Sequence, residues 1–114
     1  MTSKFQQTIK LMQKNEEGKY KPTTFKSAEF LPGNVSEEAS VLQQKMIDAE
    51  NGDEVIEALH DVYDFIGEVI FEGQFTGEEY RRGLDAREIA PLTGKILKSV
   101  TTGFDATYSD QKKK

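Results

Sequence analysis

The spacing of apolar residues changes near residue 34, from a period of two to a period between three and four. In the first stretch Phe5, Ile9 and Leu11, with Gln7 in register, alternate with polar positions, which suits a strand buried on one face. Phe5, Ile9 and Met12 also fit one face of a helix capped by Thr2 or Ser3, so spacing alone leaves both readings open here. Asn15-Glu16-Glu17-Gly18 reads as a turn, and Lys19–Lys26 carries β-leaning Tyr20, Thr23, Thr24 and Phe25. Pro22 has no amide hydrogen to donate, which confines that segment to an edge strand or an extended arm. A hairpin or arm is therefore expected over residues 1–33, closed by the turn-forming Pro32-Gly33.

From Asn34 onward the pattern predicts helices. Asn34 and Glu37 are spaced as a cap pair, and Val35, Ala39, Leu42, Met46 and Ala49 share one helical face. Asn51-Gly52 should stop that helix, and Asp53 should cap a second one running to about Phe71. Its apolar positions, from Val55 and Ile56 to Val69 and Ile70, cover about half the circumference, as expected of a central helix. Gly67 within it suggests a close crossing. Thr76 and Glu79 form a capping box, with Phe75 placed to staple onto Tyr80. Asp85 and Glu88 repeat the pattern with an acidic cap, and Leu84 can pair with Ile89. Gly83 fits a stop between the two short helices, Pro91 a kink or restart in the second, and Gly103 its C-cap. The expected fold is mainly α, about four helices over 34–104, with an N-terminal arm or β-hairpin and a flexible tail over 105–114. An all-α fold is the alternative.

Composition narrows the chemistry. With 114 residues the chain suits one domain, and with no Cys it has no disulfides, thiolate nucleophile or Cys-based zinc site. The N-terminus has no long apolar run, and the stretch around Val69–Phe71 is far too short to span a membrane, so a cytoplasm is the expected compartment. A net charge of −5 argues against a nucleic-acid partner. Charge is also segregated: residues 1–30 carry +3, residues 31–80 carry −12 and residues 81–114 carry +4. Acidic centre and basic ends make head-to-tail association of copies, a homo-oligomer, an expectation.

No catalytic, cofactor or metal site is legible. His60 lies on the polar side of the central helix near Glu57 and Asp64 and reads as solvated. Asp48, Glu50, Asp53 and Glu54 surround Asn51-Gly52 without the alternating ligands and closing Glu of a calcium loop. The sharper feature is a stripe of Asp53, Glu57, Asp61, Asp64, Glu68 and Glu72, within an arc of about 100°. No Lys or Arg interrupts it, although like charges four residues apart destabilise a helix by about 0.2–0.5 kcal/mol each. It reads either as a solvated face or as a docking face for a basic partner.

The segment from Asp64 to Gly103 resembles the tail assembly chaperones of long-tailed phages infecting Gram-positive bacteria. The resemblance is carried by Phe65, Gly73, Gln74, Phe75, Thr76, Gly83, Leu84, Ile89 and Pro91: an apolar helix, a Gly-containing turn, Phe-Thr opening a short acidic helix, then Gly-Leu and an Ile-x-Pro helix. The preceding TFKSAEFLPGNVSEEASVLQQ resembles the family's Phe-rich arm more loosely, and Gly77 and Arg81-Arg82 have no counterpart in the pattern. What the resemblance implies is a non-enzymatic protein, made late in infection or from a prophage in the bacterial host cytoplasm. It would bind the tape measure protein while tail tube protein polymerises around it, and be absent from the virion. It also implies a frameshifted longer form, for which Lys112, Lys113 and Lys114 would require a suitably A-rich message. A head–tail or tail completion protein of the virion and an acidic blocker of a basic host protein are the rival readings.

Overall fold

The computed structural model describes the backbone of residues 6–112 and the side chains of residues 6–101. Phe5, Thr2, Ser3, Lys113 and Lys114, each singled out above, lie outside the described residues, as does the side chain of Lys112. The alternation at the N-terminus resolves as a strand and not a helix. β1 (Thr8–Lys14) pairs antiparallel with β2 (Tyr20–Lys26), with Ile9 opposite Phe25 and Met12 opposite Pro22. The period of two buries Ile9 and Leu11 and turns Lys10, Met12 and Lys14 outward. Burying Leu11 contributes about 1.5–3 kcal/mol, which a helix presenting Phe5, Ile9 and Met12 would forgo. Gly18, at φ +82°, supplies the left-handed residue that closes the turn.

α1 (Asn34–Asp48) buries Val35 and Ala39 and packs Leu42 and Met46 against the core. The expected Asn34–Glu37 cap is not formed. Gly33 precedes the helix in right-handed conformation, and the amides of Val35 and Ser36 donate to the carbonyls of Pro32 and Gly33 at 3.0 and 3.1 Å. The Pro-Gly turn thus runs straight into the helix and satisfies its first donors with backbone. The cap of α2 (Gly52–Phe65) also moves, from Asp53 to Asn51, whose extended backbone lets Oδ1 accept from the Glu54 amide at 2.9 Å. Asp53 sits instead inside the first turn.

The central helix does not run regularly to Phe71. α2 ends at Phe65 and continues as a π-helical turn, Ile66–Ile70, in which the Phe71 amide donates to the Ile66 carbonyl at 2.9 Å. The widened turn brings Ile66, Ile70 and Phe71 all into the core. Gly67 belongs to it because a Cβ there would overlap the Phe75 carbonyl oxygen. Glu72, at φ +53°, then turns the chain away. At the far end of α2, Val55 and Ile56 are exposed although the pattern assigned them to the apolar face, because the α1–α2 hairpin reaches beyond the core there.

The next helix start forms as the sequence predicts. α3 (Gly77–Arg82) opens with a complete capping box: Thr76 Oγ1 accepts from the Glu79 amide and Glu79 Oε1 from the Thr76 amide, at 3.0 and 2.9 Å. Phe75 stacks on Tyr80 with ring centroids 6.0 Å apart, which is the expected staple. Gly83 ends α3 as expected, but for another reason than left-handed freedom. Its φ is −88°, and a Cβ would lie 2.9 Å from Leu11 Cβ and 3.0 Å from the Met12 carbonyl oxygen. The Met12 amide donates to the Gly83 carbonyl at 2.8 Å, so the glycine lets the hairpin lie directly on the helical layer.

Asp85 takes the Arg87 amide on Oδ1 and the Arg87 guanidinium on both oxygens, and these bonds hold its carboxyl down to about 2. Its carbonyl accepts from the amides of Glu88 and Ile89, leading into α4 (Ile89–Lys112). The Asp85 side chain takes the Arg87 amide and not that of Glu88, and the Glu88 side chain makes no return bond, so the expected second box is not formed. Leu84 and Ile89 both pack on the core. Pro91 neither kinks nor restarts the helix. It sits in the first turn, where its missing N–H has no carbonyl to meet. Gly103 does not end α4, which continues as helix through residue 112, so residues 105–112 extend it where a tail was expected. One interior Gly costs about 1 kcal/mol, too little to end a helix otherwise able to continue.

Leu11, Val62, Ile66, Ile70, Phe71, Tyr80, Ile96 and Leu97 form the centre of the core. An aromatic chain from Phe25 through Phe75 to Tyr80 and Tyr63, with centroid spacings of 5.0, 6.0 and 5.4 Å, joins β2 to α3 and α2. A second backbone bond, from the Ala28 amide to the Ile70 carbonyl at 2.9 Å, fixes the segment between β2 and α1.

Candidate functional site

The six carboxylates of the stripe are not brought together as one uniform face. α1 lies antiparallel to α2 across the short connection Ala49–Asn51, and this sets Lys45 beside the second and third of them. Lys45 Nζ lies 2.5 Å from Asp61 Oδ2 and 3.7 Å from Glu57 Oε1. The Asp61 hydrogen bond holds the ammonium above its ordinary value. Both partners are substantially exposed, so solvent screening leaves the pair little net stabilisation. Its consequence is geometric: the cation missing from α2 is supplied by the neighbouring helix.

Asp64 belongs to the joint between α2 and α3. A Cβ on Gly77 would overlap Asp64 Oδ1 and stand 2.8 Å from the Asp64 amide nitrogen, so Gly77 permits this approach. The carboxylate sits at the amino-terminal end of α3, where the helix carries partial positive charge. His60, Tyr63, Glu78 and Arg81 line a cleft of about 110 Å³ with Asp64 and Gly77. Glu72 turns away with its left-handed backbone and lines a different cleft, beside Lys26, Ser27 and Phe30. Asp53 and Glu68 remain on the outer surface with no ion pair among the described residues. Lys45 and Gly77 thus divide the carboxylates that precede Phe65, and the π turn shifts the angular register only of Glu68 and Glu72 beyond it.

Two surface features escape the apolar pattern of the core. Val41 and Ile47 project from α1 into solvent; both fall off the face made by Val35, Ala39, Leu42 and Met46, which is the signal that could have found them. A groove of about 370 Å³ runs between the segment after β2, the start of α1 and α4, lined by Ala28, Phe30, Leu31, Val35, Ile70 and Val100. Phe30, 80% exposed, stands at its edge. Ser36 Oγ donates to the Val100 carbonyl at 2.5 Å and ties α1 to α4 beside it. No sequence signal marks this groove, since its walls come from four separate segments.

Tyr80, the most perturbed phenol, is pushed up to about 12 by burial, against a lowering from its hydrogen bond with Thr93. It is enclosed in the core. Among the described residues no group of three or more His, Asp or Glu side chains could hold a metal ion, and no helix is long and apolar enough to cross a membrane. What the surface offers is extended contact: helices bearing carboxylates, exposed apolar side chains and a shallow apolar groove.

Comparison with known proteins agrees with that character. Neither curated proteins nor solved structures gave a significant match to this chain. A family model described as phage tail chaperone protein matches residues 4–114, nearly the whole sequence, and the chain belongs to that family.

Proposed function

We propose that this protein binds the phage tape measure protein in the bacterial host cytoplasm and holds it soluble while tail tube protein assembles around it. In this reading it acts without catalysis and leaves before the virion is complete. A frameshifted longer form would share the same domain and add a further client contact. The observation that carries the reading is the outer surface of α2 and the π turn. Between Lys45 and Arg81 the sequence has eleven Asp or Glu residues and no Lys or Arg, and Asp53 and Glu68 stand there without an ion pair among the described residues. A long helical client with basic stretches finds charge complementarity on such a surface, and recognition of this kind needs no reactive group.

The experiment is co-expression with the tape measure protein from the same phage. Asp61 and Asp64 are poor sites for testing the surface, because one pairs with Lys45 and the other packs against Gly77. Asp53→Lys combined with Glu68→Lys is cleaner, since both side chains are exposed and neither has an ion pair among the described residues. Co-purification should fall while circular dichroism stays that of the parent. Full retention of the client by the folded double variant would refute docking on this face. Detection of the protein in purified virions would favour the completion-protein reading instead.

A further inference from the structure

The strand register sorts the hairpin into two chemically different faces. Ile9, Leu11 and Phe25 turn toward the helices. The opposite face carries the facing pairs Thr8 and Lys26, Lys10 and Thr24, Met12 and Pro22, and Lys14 and Tyr20. Neither strand contains an acidic residue. The outward face is therefore a basic surface with apolar residues set into it, Tyr20 being 60% exposed. It cannot fold back onto its own chain. The bonds from Met12 to Gly83 and from Ala28 to Ile70 hold the other face of the hairpin against the helical layer.

The α1–α2 connection has the complementary composition. Asp48, Glu50, Asp53 and Glu54 are all exposed around it, and no Lys or Arg follows Lys45 until Arg81. Lys45 itself is engaged by Asp61 and Glu57. Ile47 precedes Asp48 and Ile56 follows Glu54 by two residues, and they are 73% and 52% exposed. Ile47 is two residues from Lys45, about 200° around α1, so it faces away from the Lys45 bridge. Water-exposed isoleucines on a strongly acidic tip do nothing for the core of one chain.

We infer that the outward face of the hairpin in one copy docks on the acidic α1–α2 tip of a second copy. Lys10, Lys14 and Lys26 then meet Asp48, Glu50, Asp53 and Glu54, while Met12 and Tyr20 cover Ile47 and Ile56. The contact joins two different patches, so each docked copy still presents one unused hairpin and one unused tip, and growth continues. Size sets its strength. Seven residues of strand extend about 23 Å and the pair is about 10 Å wide, well below the roughly 800 Å² per partner of a stable complex. The association is consequently weak and dependent on concentration, and it loses its electrostatic part as the screening length shrinks from about 10 Å at 0.1 M salt to about 3 Å at 1 M.

This inference does not depend on the tape measure reading, and its test contains no client. The mass of the full chain is followed by sedimentation or light scattering against concentration, at low salt and at about 1 M. Two charge-swapped variants are compared with it: Lys10→Glu with Lys14→Glu, and Glu50→Lys with Asp53→Lys. All four positions are exposed, and unchanged circular dichroism checks the fold. The parent mass should rise with concentration and fall in high salt. Each variant alone should associate about tenfold or more weakly. An equimolar mixture should regain the association of the parent, because every hairpin then has an oppositely charged tip available on the other variant. From a parent net charge of −5, each reversal changes the charge by two, giving about −9 and about −1. General attraction between oppositely charged proteins therefore cannot produce the recovery. The milder pair Lys10→Gln with Lys14→Gln should fall between parent and reversal. A parent that stays monomeric at low salt, variants that associate like the parent, or a mixture that fails to recover would each overturn the inference.

Discussion

The buried pair of Tyr80 and Thr93 makes an asymmetric prediction. Both residues are buried, and their hydroxyl oxygens lie 2.8 Å apart. Thr93→Val leaves the phenol O–H inside the core with no partner, which costs about 1–3 kcal/mol. Tyr80→Phe leaves the threonine hydroxyl, but that group sits on α4 and can turn to the carbonyl four residues earlier, as Thr101 does with Leu97 at 3.1 Å. Its expected cost is only about 0.5–1.5 kcal/mol. In the double variant no hydroxyl is stranded, so it should be no less stable than Thr93→Val alone. Urea melts followed by circular dichroism measure all three differences. Alkaline pH supplies a second reading. Because burial raises the Tyr80 phenol to about 12, its contribution is intact below the unfolded value of about 10 and is lost as pH rises toward 12. Tyr80→Phe should remove most of that alkaline loss and leave the smaller part from Tyr63, which burial also raises. Additive costs, or a Tyr80→Phe variant less stable than Thr93→Val, would refute this account of the pair.

Two further substitutions test how α3 is held. Thr76→Ala removes the acceptor for the Glu79 amide and should cost about 0.5–2 kcal/mol in the same melts, whereas an overlay with the parent would mean the box contributes nothing. Gly67→Ala puts a methyl group on the Phe75 carbonyl oxygen, which is backbone and cannot rotate away, so destabilisation of about 1–3 kcal/mol is expected. Stability equal to the parent would show that the π turn has room that the geometry denies.

Much of the candidate surface was legible from residue order, but its grouping was not. The absence of Lys and Arg from residues 46–80 is plain in the sequence, and so is the alternation that exposes Lys10 and Lys14. Assigning Asp53, Glu57, Asp61, Asp64, Glu68 and Glu72 to one arc assumed a regular helix through residue 72. The π turn changed the register of Glu68 and Glu72, and Lys45 entered the arc from the neighbouring helix, sixteen residues from Asp61 in sequence but across a chain reversal.

By itself the sequence determined what depends on near neighbours along the chain. The capping box at Thr76, the Phe75–Tyr80 staple and the turn at Asn15–Gly18 each involve residues at most five apart, so their chemistry sufficed. Tertiary structure decided whatever depends on contacts between distant segments. It selected the strand over the helix for residues 8–14, because Leu11 could be buried against the chain at Gly83. It placed a π turn where Gly67 meets Phe75, gave Gly83 a packing role instead of a conformational one, and left Val55 and Ile56 in solvent. Local patterns report which side of an element is apolar; only the assembled core determines how far that side is covered.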